Sequence, residues 1–223
     1  MNKTYLEFVK EYLENADNGT PIYTNQIAKK VSVCYGLNYK DAAAATAVAI
    51  KRIVDGDILI GLKCYQKGIY YRSVKTPFGE TGINKEKLIA DKYILPCKGY
   101  ETGLFLLHRM GLTSQMPKER ILATNMAKEC ARVDKKLGVT IRPPKVTITA
   151  ENKPYLQILD ALEILEKAPV DEERPYEILA GHIKKQELRF DVLLTLAYRY
   201  YNKDTVMKLA HTASEGGVVI ETS

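Results

Sequence analysis

The sequence of 223 residues has no tryptophan, four phenylalanines, four cysteines and three histidines. Each scarcity excludes something. Metal sites bring their Cys and His ligands in close pairs, whereas Cys34, Cys64, Cys97 and Cys130, like His108, His182 and His211, stand alone. The cysteines are therefore read as reduced and mostly buried. No apolar run approaches the roughly 18 residues that cross a bilayer. The opening Met1-Asn2-Lys3-Thr4-Tyr5 lacks the apolar core of a signal peptide. A cytoplasmic protein with no membrane partner is expected.

Phosphate-binding and catalytic signatures are missing as well. There is no G-x-x-x-x-G-K-[ST] loop, no H-E-x-x-H helix, no G-x-S-x-G elbow and no glycine-rich dinucleotide turn. Gly99 and Gly103 form a glycine pair without a strand before it, so Gly103 is read as a close helix-packing position. His108 beside Arg109 reads as a structural histidine on an apolar helix. No catalytic residue, cofactor or metal is implied. A metal nuclease built from separated carboxylates and a lysine stays open at this level.

What the chain does have is ordinary apolar content (46%), 15 tyrosines and a net charge of +6. The charge is unevenly placed. Residues 20–75 hold nine bases and three acids, so that a surplus of six sits in one quarter of the chain. A polyanion-binding surface needs such a concentration, although a solvated basic face would produce it too.

At the centre of that region lies Asp41-Ala-Ala-Ala-Ala-Thr-Ala-Val-Ala-Ile-Lys-Arg-Ile-Val-Asp-Gly-Asp57. Alanine loses no side-chain entropy in a helix, so this segment is the strongest helix former present. Ala43, Ala47, Ile50, Ile53 and Val54 are read as its buried stripe. The opposite face, with Ala45, Val48, Ala49, Lys51 and Arg52, has little bulk before the basic pair. Such a face can approach another macromolecule closely.

Around it, periodicity predicts a helix over 3–14, a turn over 15–21, a short helix over 25–31 capped by Thr24, and a turn over 32–38. The β-branched and aromatic runs 58–65 and 69–72 flank Gln66-Lys67-Gly68 and predict a hairpin. Three helices and a basic-tipped hairpin are the order of a winged helix-turn-helix, whose third helix enters the major groove. A break is expected at 73–82, dividing a DNA-binding domain, 1–75, from a second domain, 76–223. That second domain reads as helices over 84–94 and 99–111, a strand over 120–125, and two short strands around Leu137–Ile141 and Val146–Ile148. Helical stripes then begin at Tyr155, Pro175, Phe190 and Val206, and the tail from Ser214 is expected to be loose. The fold class expected is α+β, mostly helical: a winged helix-turn-helix followed by a mixed domain with a small sheet and a helical bundle.

Several segments stand out together: Pro21 with Ile27-Ala28, Ala43-Ala-Ala-Thr-Ala47 with Ile50-Lys-Arg-Ile53 and Asp55-Gly56, Gly68-Ile-Tyr-Tyr-Arg72, and Thr76-Pro-Phe-Gly79. Gly99-Tyr-Glu-Thr-Gly103 and Gly111-Leu-Thr-Ser-Gln-Met-Pro117 complete the set. Taken together they resemble the AbiE-type antitoxins, the winged-helix regulators of type IV toxin–antitoxin systems. The resemblance covers most of the chain up to about Leu165. It implies an N-terminal domain that binds inverted repeats in its own promoter. It also implies a second domain that counters a nucleotidyltransferase-type toxin without forming a stable complex.

Double-stranded DNA is thus the expected partner, and the protein is not expected to be an enzyme. The candidate DNA-binding residues are Lys29, Lys30, Tyr39, Lys40, Ala44, Ala45, Val48, Lys51, Arg52, Lys63, Lys67 and Arg72. Two other readings remain: a nuclease-like enzyme targeted by the winged helix, and a repressor whose second domain senses a small ligand.

Overall fold

Thr4 starts the first helix by a reciprocal cap: its hydroxyl accepts from Glu7 N, and the Glu7 carboxylate accepts from Thr4 N at 2.8 Å. The computed structural model describes residues 3–217. It is α+β and mostly helical, with small sheets, and contacts divide the chain into two compact units, Met1–Leu88 and Ile89–Ser223.

The first unit runs α1 (Tyr5–Glu14), β1 (Ile22–Tyr23), α2 (Thr24–Tyr35), α3 (Tyr39–Asp55), β2 (Leu62–Gln66) and β3 (Ile69–Arg72). A two-residue hairpin, β4 (Lys75–Thr76) and β5 (Gly79–Glu80), and the start of α4 (Lys85–Ile89) complete it. Strands β2 and β3 pair antiparallel, and β1 adds to the other side of β3, giving the order β1-β3-β2. Helix α2 is longer than its apolar pattern, and Thr24 is its first residue, without a side-chain cap; Gly36, at φ +65°, ends it. Asn38 then caps α3, its side-chain oxygen accepting from Asp41 N at 3.0 Å.

Val9 and Leu13 of α1, Ile27 and Val31 of α2, and Ala42, Ala49, Ile50 and Ile53 of α3 form one core with Ile22. The buried stripe of α3 is Ala42, Thr46, Ala49, Ile50 and Ile53. The expected stripe is thus turned: Ala49 is buried, whereas Ala47 and Val54 are exposed and Ala43 is half-buried. The phase is set by small residues, because α1 and α2 both pack on α3 and alanine and threonine permit that approach.

The segment expected to separate two domains folds back onto the first unit. Ser73 Oγ donates to Thr81 O at 2.8 Å, Thr81 Oγ1 accepts from Val74 N at 2.9 Å, and Asn84 N donates to Gly19 O at 2.7 Å. The division therefore falls at Leu88, beyond the break after Lys75.

In the second unit a π-helical turn (Ala90–Ile94) leads to β6 (Gly99–Thr102), α5 (Leu104–Arg109), β7 (Arg120–Thr124), β8 (Arg132–Asp134) and β9 (Val139–Arg142). The sheet order is β6-β7-β9-β8, with β7 and β9 parallel and the other pairs antiparallel. Helices α6 (Lys153–Ile164), α7 (Pro175–Lys185), α8 (Phe190–Tyr200) and α9 (Lys203–Glu215) follow. The helix expected over 99–111 is half strand. A Cβ on Gly99 would lie 2.4 Å from Tyr93 O and 2.5 Å from Ala123 O, so this glycine lets β6 pair closely with β7. Gly103 is the cap between strand and helix, at φ +69°, and not a helix-packing position. Val146–Ile148 forms no strand; Asn125 holds that segment instead, its amide bonding both Ile148 O and Ile148 N at 2.9 Å. Helix α9 continues through Ser214 to Glu215; the rest of the tail beyond Gly217 lies outside the described residues. Cys34, Cys64 and Cys130 are exposed and Cys97 half-buried, against the expectation of burial, because each sits on the solvent side of its element or in a loop.

Alternation in β6 points Tyr100 and Thr102 inward, where they meet Asp160, a carboxylate 1% exposed on α6. Asp160 accepts from Tyr100 at 3.1 Å, Thr102 at 2.7 Å, Arg142 Nη2 at 2.5 Å and Tyr201 at 2.8 Å. Sheet and helices are thus tied through one anion whose hydrogen-bonding capacity is filled. Asp160→Ala strands the Arg142 charge and three hydroxyls, and the expected cost is about 3–5 kcal/mol in urea denaturation. Burial, and next the Asp160 charge, push the Tyr100 and Tyr201 phenols well above their ordinary range. Their folded pKa values are raised, so this contribution is complete below the unfolded value of about 10 and lost as pH climbs beyond it. Stability should fall above that pH by up to about 1.4 kcal/mol per pH unit for each tyrosine. Urea midpoints measured through the alkaline range check this, and Tyr201→Phe should make the fall shallower.

Candidate functional site

Because the core takes one side of α3, the opposite side is fixed. Lys40, Ala44, Ala47, Val48 and Lys51 recur at helical spacing and are all exposed. Val48 is 51% exposed and Val54, on the flank of the same face, 45%. Between the lysines this surface is one or two carbon atoms deep, so the helix backbone can come near whatever it meets.

Beside the face lies an open groove of about 490 Å³. Ala43, Ala47, Ile50, Lys51 and Val54 of α3 form one wall, and Thr24, Asn25 and Ala28 of α2 another. Lys67, Gly68 and Tyr70 close it from the β2–β3 hairpin. The hairpin tip is held there by a backbone hydrogen bond, Thr24 N donating to Gly68 O at 3.0 Å. Gly68 has φ +84°, which lets the tip turn tightly enough to make that bond. The groove is apolar inside, with Lys51 and Lys67 among its lining residues and Asp55 the acid there.

The twelve candidate residues divide into two sets. Tyr39, Lys51 and Lys67 line the groove, and Lys40, Ala44, Val48 and Arg52 are exposed on α3. Lys29 is exposed four residues after Asn25 and so shares its side of α2. The remaining four are turned elsewhere. Ala45 is half-buried. Lys30 places its ammonium 4.7 Å from the Tyr12 ring, toward α1. Lys63 is ion-paired with Glu80, which raises the lysine pKa and lowers that of the carboxylate, chiefly through the hydrogen bond between them. Arg72 donates to Glu14 O and to Ala16 O, the latter at 3.2 Å, and so satisfies carbonyls where α1 ends.

Thr24, Asn25, Ala43, Ala47, Val54 and Tyr70 line the groove and were not among the candidates. For the α3 members a signal existed: taking Ala42 and Thr46 as buried turns Ala43, Ala47 and Val54 toward solvent. For Thr24 and Tyr70 there was none, since the hairpin's docking on α2 is a long-range contact.

In the second unit two buried carboxylates gather the polar side chains around them. Glu101, 7% exposed, holds Arg109 at 3.1 Å and Arg120 Nε at 2.7 Å, as Asp160 holds its four donors. Among the described residues no three His, Cys, Asp or Glu side chains gather as metal ligands would, and no helix is long and apolar enough to cross a membrane.

Arg72 is the candidate residue whose role here is structural. Arg72→Ala should lower stability by about 1–3 kcal/mol, because it leaves two carbonyls unpaired; thermal or urea unfolding measures it. A comparison with protein-family models finds no match for the chain, and a comparison with curated proteins finds no significant one.

Proposed function

We propose that Met1–Leu88 is a winged helix-turn-helix that binds duplex DNA, with α3 as the recognition helix and the β2–β3 turn as the wing. The observation that carries this reading is the bare, basic outer face of α3 beside a hairpin tip that bears Lys67. An α-helix fits the major groove, and a helix faced with alanine and valine can sit deep in it, its methyl groups meeting thymine methyls. Lys40, Lys51 and Arg52 reach phosphates from α3, Lys29 from α2, and Lys67 from the wing. Alanines read few base edges, so phosphate contacts supply most of the affinity and make it salt-dependent.

The chain as a whole is proposed to be a non-enzymatic antitoxin of the AbiE type that represses its own operon. This half rests on the motifs described above, above all 99–103 and 111–117. In the fold, both act as scaffold. Gly99 permits the β6–β7 pairing, Tyr100 and Thr102 bind Asp160, and Ser114 N donates to Asp171 at 2.7 Å, anchoring the loop after α5. Its antagonist is proposed to be a nucleotidyltransferase-type toxin, countered without a stable complex.

The upstream DNA of the chain's own gene, titrated over a salt series, tests the first half. Lys40→Ala with Lys51→Ala should flatten the slope of log affinity against log salt by about 1.8, at roughly 0.9 per phosphate contact. Lys63→Ala should leave it unchanged, because Glu80 already holds that ammonium. Salt-independent binding would overturn the reading, as would divalent-metal-dependent cleavage of the DNA. The second half is tested by growth. Expressing the chain should rescue cells that make the nucleotidyltransferase encoded beside it, and failure to rescue rejects antitoxicity.

A further inference from the structure

Charge in the second unit is as uneven as in the first. Residues 89–153, which build the sheet, hold twelve bases and six acids, whereas 154–217 hold eight bases and eleven acids. The surplus of the sheet half meets a surface feature at one edge. Strand β8 ends the order β6-β7-β9-β8, so among the described residues one side of its backbone has no strand partner. Along that edge lies an open groove of about 360 Å³, lined by Lys92, Tyr93, Arg132, Val133, Asp134, Lys135 and Lys136. Arg132, Lys135 and Lys136 are exposed, and so is Lys92.

The acid in this groove is already engaged. Asp134 accepts from Lys92 Nζ and from Tyr93 OH, both at 2.8 Å, and from Leu137 N at 3.2 Å. Burial would raise its pKa, but the hydrogen bonds from Lys92, Tyr93 and the backbone outweigh that and hold it below the ordinary carboxylate range. The bound carboxylate fixes Lys92 at the rim and leaves Arg132 and Lys135 as charges facing solvent.

We propose that this groove is a second anion site, in which Arg132 and Lys135, with Lys92 at the rim, grip the phosphodiester backbone of a nucleic acid. A guanidinium fork and a point-charge ammonium side by side suit successive phosphates on one strand. A docked protein fits less well. A stable protein interface buries about 800 Å² per partner around an apolar centre, and the apolar side chain exposed in this groove is Val133. The site belongs to the second unit and does not depend on the proposed role of α3.

Fluorescence anisotropy of the full chain tests it, with a random-sequence DNA duplex and a single-stranded RNA of equal length, each over a salt series. Arg132→Ala with Lys135→Ala should reduce the salt slope by about 1.8 on the duplex or about 1.4 on the single strand; the probe that responds identifies the ligand. The same loss should appear in a background carrying Lys40→Ala and Lys51→Ala. A failure of the α3 reading therefore shows in those two variants alone, and a failure of this site only in the edge variants. Lys185→Ala with Arg199→Ala, two exposed bases on α7 and α8, removes equal charge and should leave both slopes in place. Unchanged slopes in the edge variant on both probes overturn the proposal. So does an equal loss in the α7–α8 control, which would make the effect one of net charge. Thermal unfolding of each variant keeps loss of fold distinct from loss of contact.

Discussion

Helix α3 has to bury one face against α1 and α2 while its opposite face stays thin, and the first unit depends on that. Its core side is Ala42, Thr46, Ala49, Ile50 and Ile53. The two aliphatic residues near its C-terminal end fill the space among α1, α2 and the sheet, and the small residues near its N-terminal end let the helices close. Once that phase is fixed, every outer position follows, and Lys40, Ala44, Ala47, Val48 and Lys51 come to one face. The hairpin is then held beside it by β1, which pairs with β3 and runs into α2, and by the bond from Thr24 N to Gly68 O, and so makes a groove. Packing thus decides which residues are free to contact a partner.

The second unit solves a different problem, that of holding a four-stranded sheet against helices. It uses a buried carboxylate with four donors, drawn from β6, β9, α6 and the residue after α8. A well-packed apolar substitute could be as stable, so the ion cluster is better understood as fixing register. If β6 slipped by one residue, Glu101 would replace Tyr100 and Thr102 against Asp160, setting two carboxylates together in the core. Glu101 instead faces the other way and takes two arginines.

Much of the fold could be read in the sequence, and the failures share a cause. Helices with wide apolar stripes, such as α1, α6 and α8, lay where their periodicity put them. The stripe of α3 was misplaced because Ala43, Ala47 and Ala49 carry almost no phase information; Thr46, which is buried, looked polar. The strand β6 was read as helix because Gly99-Tyr-Glu-Thr runs straight into the apolar Leu104–Leu107. What makes it a strand is pairing with β7, some twenty residues on. Of the exposed side of α3, Lys40, Ala44, Val48, Lys51 and Arg52, with Lys67 on the hairpin, were legible from charge and bulk, whereas Ala45 is half-buried and Ala47 went unnoticed. Lys30, Lys63 and Arg72 were not legible, since Tyr12, Glu80 and the carbonyls at 14 and 16 reach them across the fold, and composition cannot show that a base already has a partner.

The two basic surfaces differ in what surrounds the charge. On α3 the lysines stand at the margins of an apolar face, so a partner must offer hydrophobic atoms between its anions, as the thymine methyls of a major groove do. Along β8 the bases stand beside a bonded carboxylate and one valine, so the partner needs little beyond anions. Under the proposed reading, the first arrangement would favour some sequences through shape and methyl contact, and the second would not. A chain with both would gain whatever discrimination it has from α3 and added, sequence-independent affinity from the sheet edge. That affinity would fall with salt more steeply than the first unit alone allows, since each further phosphate neutralised releases its own counterion.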